Sequence, residues 1–493
     1  MRYFAPQIIC AMIGFGLLGS AKGLDEGLIA TTVDLPSFIR EFGLHAGDLS
    51  AAEQANRLSN ITSMVNLGCL PGAVLAFLLS DSISPLRTMR QLCLLWIVGV
   101  VLVISSAGNY GQLIAGRFIV GLGIGQAGII GPIYLAETSP TAWRGLLVGI
   151  YASSEYVGVL IGYFAGYGAS LHMSNANNRQ WIIPQSSQIM MAGLILIVSL
   201  GCVESPRYLC QKQRNAEAMR ALSRLRTLPE DSPEIQDEFQ SMRRQTSSNS
   251  DKKRGRSLLT SWKLLFGDTV NRKRLLFLLS AQLLSQWSGT NAITSMSPFH
   301  SISYAPKFFA LLGMTGSSEK LFKTAIFGAV KLASALLCAV LFLDRFGRKR
   351  CLMLGITLQV LALLYMAIYF TALPTGSNES PSAHRAAIAA IAATYITGVG
   401  YAFGWNSIQY LINAEILPTA VRTLGTSLLM CVHYANRFAL TKAVPTMMLA
   451  DALQPKGTFW FFFVVALLGF GWGLVLLPET SGRKLEETSR LIS

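Results

Sequence analysis

Charge is scarce in this chain. Of 493 residues only 14% are Asp, Glu, Lys or Arg, whereas 52% are hydrophobic and the mean hydropathy is +0.44. Soluble domains carry about a quarter of their residues charged, so the shortage excludes an ordinary water-soluble enzyme and points to lipid as the solvent. Paired cysteines are also lacking. The eight cysteines are dispersed with no CxxC, so neither zinc nor a disulfide framework is indicated, and each reads as a small apolar residue. There is no GxxxxGK[ST] phosphate loop, which argues against a primary pump. No small-residue cleavage site follows the first apolar segment, which runs on into Lys22 and Asp25, so a retained helix is expected rather than a signal peptide. A convergent nucleophile and base, or a metal-ligand cluster, is not found either, and no enzymatic chemistry is expected.

Apolar runs of bilayer length are abundant instead. They predict helices at 6–32, 60–80, 91–107, 112–135, 145–170 and 186–203, and again at 275–300, 322–343, 351–372, 386–413, 424–448 and 458–477. The chain thus reads as an all-α membrane protein of twelve transmembrane helices in two six-helix bundles, residues 1–203 and 275–480. A cytoplasmic helical linker at 204–274 and a short tail at 481–493 complete it. The net charge of +15 would suit nucleic acid, but the positive residues cluster between apolar spans in the positive-inside pattern, so no nucleic acid is expected. The linker holds sixteen Lys/Arg against nine Asp/Glu and is assigned to the cytoplasm, together with both termini. Its AEAMRALSRLR stretch has helical periodicity, while SMRRQTSSNSDKKRGR is too polar to bury a core. The sequons at Asn60 and Asn378 fall on the predicted outer side.

One stretch carries a resemblance. Residues 116–145 read GRFIVGLGIGQAGIIGPIYLAETSPTAWRG, uncharged from Phe118 to Leu135 and closed by Glu137 and Arg144. With VESPRYL, LDRFGRKR, AEILPTAVR and LPETSGRKLEE following in order, the chain resembles the sugar porter branch of the major facilitator superfamily, most of all its fungal hexose, pentose and quinate-type members. The first-half counterpart of LDRFGRKR, SDSISPLRTMR, is degenerate. The resemblance implies alternating access to a site near the midplane between the halves. It implies movement of a monosaccharide, polyol or sugar acid inward with protons, by a monomer in the plasma membrane, with no cofactor and no metal. A uniporter, a metabolite exporter and a nutrient receptor of the same fold are the alternatives; a receptor would usually carry a long signalling tail.

Ionisable residues inside a span are costly and need a partner or a function. Asp25 in the first helix is expected to pair with Arg117 in the fourth, and in proton-coupled relatives the matching residues link the proton to the rocking of the halves. Glu155 lies mid-span in the fifth helix, one turn beyond Ala152, which stands where many relatives have a sugar-contacting Gln. It is a candidate substrate contact or second proton carrier. By resemblance, Gln286 and Asn291 in QWSGTN, Trp405 and Asn406 in GWNSIQY, and Tyr434 and Arg437 in HYANRF are candidate substrate-binding residues; amides suit hydroxyl groups because they both donate and accept. Arg437 beside His433 would favour a carboxylated substrate. Between Asn291 and Tyr304 the sequence SMSPFHSIS is extra relative to the family pattern, roughly 12–14 Å of rise if helical. It is either a lengthened loop or a retained intron. The resemblance also implies a cytoplasmic gate of charge pairs: Glu137, Arg144, Glu204 and Arg207 in the first half, and Asp344, Arg345, Arg348, Glu415, Arg422 and Glu479 in the second.

Overall fold

A computed structural model of the chain describes residues 6–44, 51–140, 143–250, 258–290, 293, 317–343, 345–372, 381–418, 421–448 and 452–479. Among them every regular element is a helix. Twelve long helices follow one another: α1 (Pro6–Thr32), α2 (Ala51–Ile83), α3 (Pro85–Ile104), α4 (Tyr110–Thr138), α5 (Arg144–His172) and α6 (Arg179–Gly201). In the second half come α7 (Thr269–Trp287), α8 (Ser317–Leu337, then a π-helical turn Cys338–Phe342) and α9 (Arg348–Ala372). They are followed by α10 (Pro381–Tyr401, a π-helical turn Ala402–Asn406, then Ser407–Ile416), α11 (Arg422–Met447) and α12 (Gln454–Val475). Ten are long and apolar enough to cross a membrane; α7 opens on Arg272-Lys273-Arg274 and α11 carries His433, Arg437 and Lys442, which lowers their hydropathy. The protein is therefore an all-α, multi-pass membrane protein, with these twelve long helices among the described residues.

Local sequence starts these helices where it should. Ser84 and Asn109 accept hydrogen bonds from Arg87 N and Gln112 N at the heads of α3 and α4, and Asp268 does the same for Val270 N at α7. Several helices run past the expected ends, as in α2, which spans Ala51–Ile83 rather than 60–80.

Small residues decide how closely the helices pack. Gly19, Gly23 and Gly27 repeat every fourth residue on α1 and lie against α5, Gly19 at Tyr151 and Ser154, Gly23 at Gly158 and Gly27 at Gly162. A Cβ at Gly23 would run into the carbonyl oxygen of Glu155, so only glycine lets the two backbones meet. Ser154 Oγ then donates across to Gly16 O at 2.6 Å. The motif glycines Gly121 and Gly125 of α4 play the same part against α2. Across the two halves, α2 packs on α11 and α5 on α8.

The linker forms short helices Pro206–Gln211, Asn215–Arg226 and Pro233–Ser250 around a small core that includes Leu209, Leu222, Ile235 and Phe239, followed by Leu258–Gly267, whose Leu265 joins the main core. The third reaches Ser250, further into the polar stretch than its composition suggests. Arg226 ties this unit to the end of α4 by donating to Thr138 O at 2.8 Å, and pairs with Glu238 at 2.7 Å. Asn60 lies within α2, where Lys442 of α11 donates to its side chain, a position unlike an exposed glycosylation loop; Asn378 lies outside the described residues.

Candidate functional site

In the middle of the bundle α1 presents three charged residues on one stretch, Lys22, Asp25 and Glu26, and each has a different partner. Asp25 accepts from Arg117 at 2.6 Å with both residues buried, and Arg117 also donates to Ile61 O at 3.0 Å. The expected Asp25 and Arg117 contact is present in the geometry. Lys22 lies 2.8 Å from Glu155, so the carboxylate that has no basic neighbour on its own helix is met from α1, at the crossing the glycines permit. Tyr410 of α10 closes that pair from the other half, its hydroxyl 3.4 Å from Lys22 Nζ and 3.5 Å from Glu155. Glu26 is bound by Arg437 of α11. A fourth cation, Lys331 of α8, is buried with its ammonium 4.6 Å from the Tyr156 ring centre and 5.3 Å from that of Phe327.

A cavity of about 50 Å³ lies beside these pairs, lined by Lys22, Asp25, Glu26, Asn66, Tyr434 and Arg437 among others. A single water needs roughly 10–15 Å³ of such space, so the cavity suits a few waters. Next to it α7, α10 and α11 bring amides around an imidazole. Gln286 Nε2 and Gln409 Nε2 lie 3.1 and 2.7 Å from His433 Nδ1, Gln282 Oε1 is 3.1 Å from the same nitrogen, and Gln282 donates to Asn413 at 3.2 Å. Three polar atoms facing this region, Asn413 Nδ2, His433 Nε2 and Tyr434 Oη, are buried without a hydrogen-bond partner among the described residues. Buried polar atoms are normally satisfied, so their number here suits a ligand rich in hydroxyl groups.

The other candidates fall into place unevenly. Gln286 and Tyr434 face the polar region and Asn291 lies outside the described residues, as does the extra segment Ser295 to Ser303. The π-helical turn of α10 aims Trp405 at Trp472 of α12, centres 5.8 Å apart, and lets Asn406 donate to Ala152 O across the two halves at 3.0 Å. Tyr410 therefore occupies the chamber wall in a way that Trp405 does not. Lys22, Glu26, Lys331 and the amides Gln282, Gln409 and Asn413 were not singled out as site residues. The signals existed: charge inside apolar runs, and amides four residues apart at Gln282/Gln286 and Gln409/Asn413, hence on one helix face.

At the end bearing the linker, Arg144 with Glu415 and Arg422 with Glu137 meet across the halves, and Arg348 joins Glu415 within the second. Arg144 lies 3.8 Å and Arg348 3.5 Å from Glu415, and Arg422 lies 3.6 Å from Glu137, which also accepts from Ser205 at 3.1 Å. Glu479 accepts from the backbone N–H groups of Arg348 and Lys349 at 2.8 and 3.2 Å, capping α9; a side chain at Gly347, φ +92°, would strike it. Glu204 accepts from Ser84 Oγ at 2.7 Å, and burial pushes its carboxyl up from the ordinary range. Arg207 sits in the short helix after it, Arg345 is exposed, and Asp344 lies outside the described residues.

Residues 9–492 match the family model described as sugar (and other) transporter. The chain is 31% identical over 474 residues to probable quinate permeases of Aspergillus flavus and Aspergillus oryzae, covering 95% of this chain and 85% of each relative. It is 29% identical over 483 residues to the MFS-type transporter qa-x of Neurospora crassa, with the same shares covered. The fold is shared with the proton:xylose symporter XylE bound to 6-bromo-6-deoxy-D-glucose, at TM-score 0.84, 20% identity and full coverage of both chains. Against the inward open conformation of XylE from E. coli the TM-score is 0.69 at 21% identity, covering 99% of this chain and 100% of the other.

Proposed function

The chain belongs to the sugar (and other) transporter family, and we propose from that premise that it carries a polyhydroxylated carboxylate, of the kind named in its quinate permease relatives, inward across the plasma membrane together with protons. The observation that carries this reading is charge. Among the described residues the chamber holds four cations, Lys22, Arg117, Lys331 and Arg437, against three carboxylates, Asp25, Glu26 and Glu155. Cations at the wall of a low-dielectric cavity favour an anion, and the Arg437 guanidinium offers a planar fork that fits a carboxylate. The amides and His433 supply the donors and acceptors for its hydroxyl groups.

The transport step is alternating exposure of this chamber by two bodies, residues 1–203 and 275–480, with the linker and both termini on the cytoplasmic side and the carrier working as a monomer. The charge pairs at the linker end hold that side shut, and Asp25 with Arg117 supports proton coupling, because protonating the aspartate releases the arginine. Uptake of labelled quinate, galacturonate, hexoses, pentoses and polyols into transporter-deficient cells, with and without a protonophore, tests the proposal. Protonophore-sensitive uptake of the acids alone is expected. Uptake of neutral sugars with no acid transported would defeat the carboxylate reading, and insensitivity to the protonophore would leave a uniporter.

A further inference from the structure

Arg437 is the guanidinium best placed to receive a substrate carboxylate, yet a carboxylate of the protein already holds it. Glu26 reaches it from the opposite half, at the cavity wall, with the Arg437 side chain 7% exposed and that of Glu26 20% exposed. We propose that Glu26 is a built-in stand-in for the substrate's carboxylate: the arriving anion displaces it from Arg437, and the freed Glu26 takes up a proton. This rests on the carboxylate reading of the substrate and adds a residue to the coupling.

The surroundings of Glu26 favour that exchange. Its charged and titratable neighbours are Lys22 and Asp25 on its own helix, Arg437 on α11, Lys331 on α8, and Tyr156 and Tyr163 on α5. Lys22 is engaged by Glu155 at 2.8 Å and Arg117 by Asp25 at 2.6 Å, while Lys331 is seated over the rings of Tyr156 and Phe327. From α2 and α4 the cavity receives Cys69 and the uncharged Thr62, Asn66 and Ile124. Once parted from Arg437, the Glu26 carboxylate faces partners already taken, and a buried carboxylate without a dedicated partner binds a proton. The charge balances: one anion and one proton enter, so the loaded and empty carriers reorient with the same buried charge. Asp25 is held by Arg117 within the first half, whereas Arg437 holds Glu26 across the halves, so the two carboxylates at this cavity have different partners.

The same geometry makes Glu26 a selectivity element. A neutral polyol cannot replace a carboxylate on a guanidinium, so it must enter with Glu26 still in place.

Titration calorimetry of the purified full-length protein in buffers of differing ionisation enthalpy counts the protons taken up per quinate bound, with inositol as the neutral comparison. Glu26→Gln is expected to keep quinate binding and to take up about one proton fewer per quinate than the unaltered protein. An equal proton count in the two proteins would overturn the proposal while leaving the carboxylate reading intact. Failure of the unaltered protein to bind quinate at all would overturn both. An infrared difference spectrum needs no variant: quinate should raise a protonated-carboxyl band in the unaltered protein, and its absence counts against the displacement of Glu26 even if Glu26→Gln does not fold.

Discussion

Lys22 and Glu155 lie 2.8 Å apart with side chains 12% and 6% exposed, inside the apolar bundle. Removing one charge strands the other, a loss of about 3–5 kcal/mol where a buried pair is broken from one side. Glu155→Gln should therefore lower the melting temperature in detergent more than the double change Lys22→Met with Glu155→Leu, which removes both charges. Equal melting temperatures for the two proteins would mean that the pair carries no such strain. The carboxylate was visible in the sequence as an isolated charge mid-span, but its partner was not, because Lys22 and Glu155 are separated by 133 positions and meet only where two helices cross. Arg437 is similar: its residue type announced an anion partner, and folding assigned that partner as Glu26.

Helices α1 and α5 meet on glycine. Gly23→Ala would drive a methyl group into the carbonyl of Glu155 and push the helices apart, taking Lys22 away from Glu155 as well. Gly168, on α5 with nothing within 4 Å of a built Cβ, is the control: Gly168→Ala should be neutral or stabilising by up to about 1 kcal/mol, the ordinary helix gain. Yield of folded protein and thermal unfolding would compare them, and equal behaviour of the two variants would refute the close-contact role. The helices themselves could be read from hydropathy because backbone groups in lipid must bond within their own segment, which leaves little choice of structure. The π-helical turns in α8 and α10 could not, since one extra residue per turn leaves no mark on apolar periodicity. Their consequence is local but large, with Trp405 turned to Trp472 and Tyr410 left to face Lys22 and Glu155.

Polar contacts join the halves of the molecule at both of its ends as well as at its middle. At the linker end, Glu415 stands between Arg144 and Arg348, and Glu137 meets Arg422, at 3.5 to 3.8 Å. Toward the opposite end, Lys442 donates to Ser59 at 2.9 Å, and Glu26 is held by Arg437. Pairs this long contribute modestly one by one, yet a bias of about 1.4 kcal/mol between two states is already tenfold in population. Arg422→Gln is thus expected to slow net uptake at least severalfold while equilibrium binding to the purified protein stays within about threefold. Unchanged uptake, or binding lost in proportion, would remove the gate role.

Composition and apolar spacing determined the solvent and the twelve helices, because a bilayer imposes one length and one chemistry on every segment that crosses it, while the ordered motifs carried the family resemblance. The glycine repeats stand in the sequence, but the fold shows which helices they let touch. Only the tertiary structure decided which charge answers which, that Asn406 bridges the halves through Ala152 O, and that His433 gathers three glutamines. Those outcomes depend on helix rotation and crossing, which bring together residues hundreds of positions apart, and an ionic or amide group takes whichever partner the packing delivers within hydrogen-bonding distance.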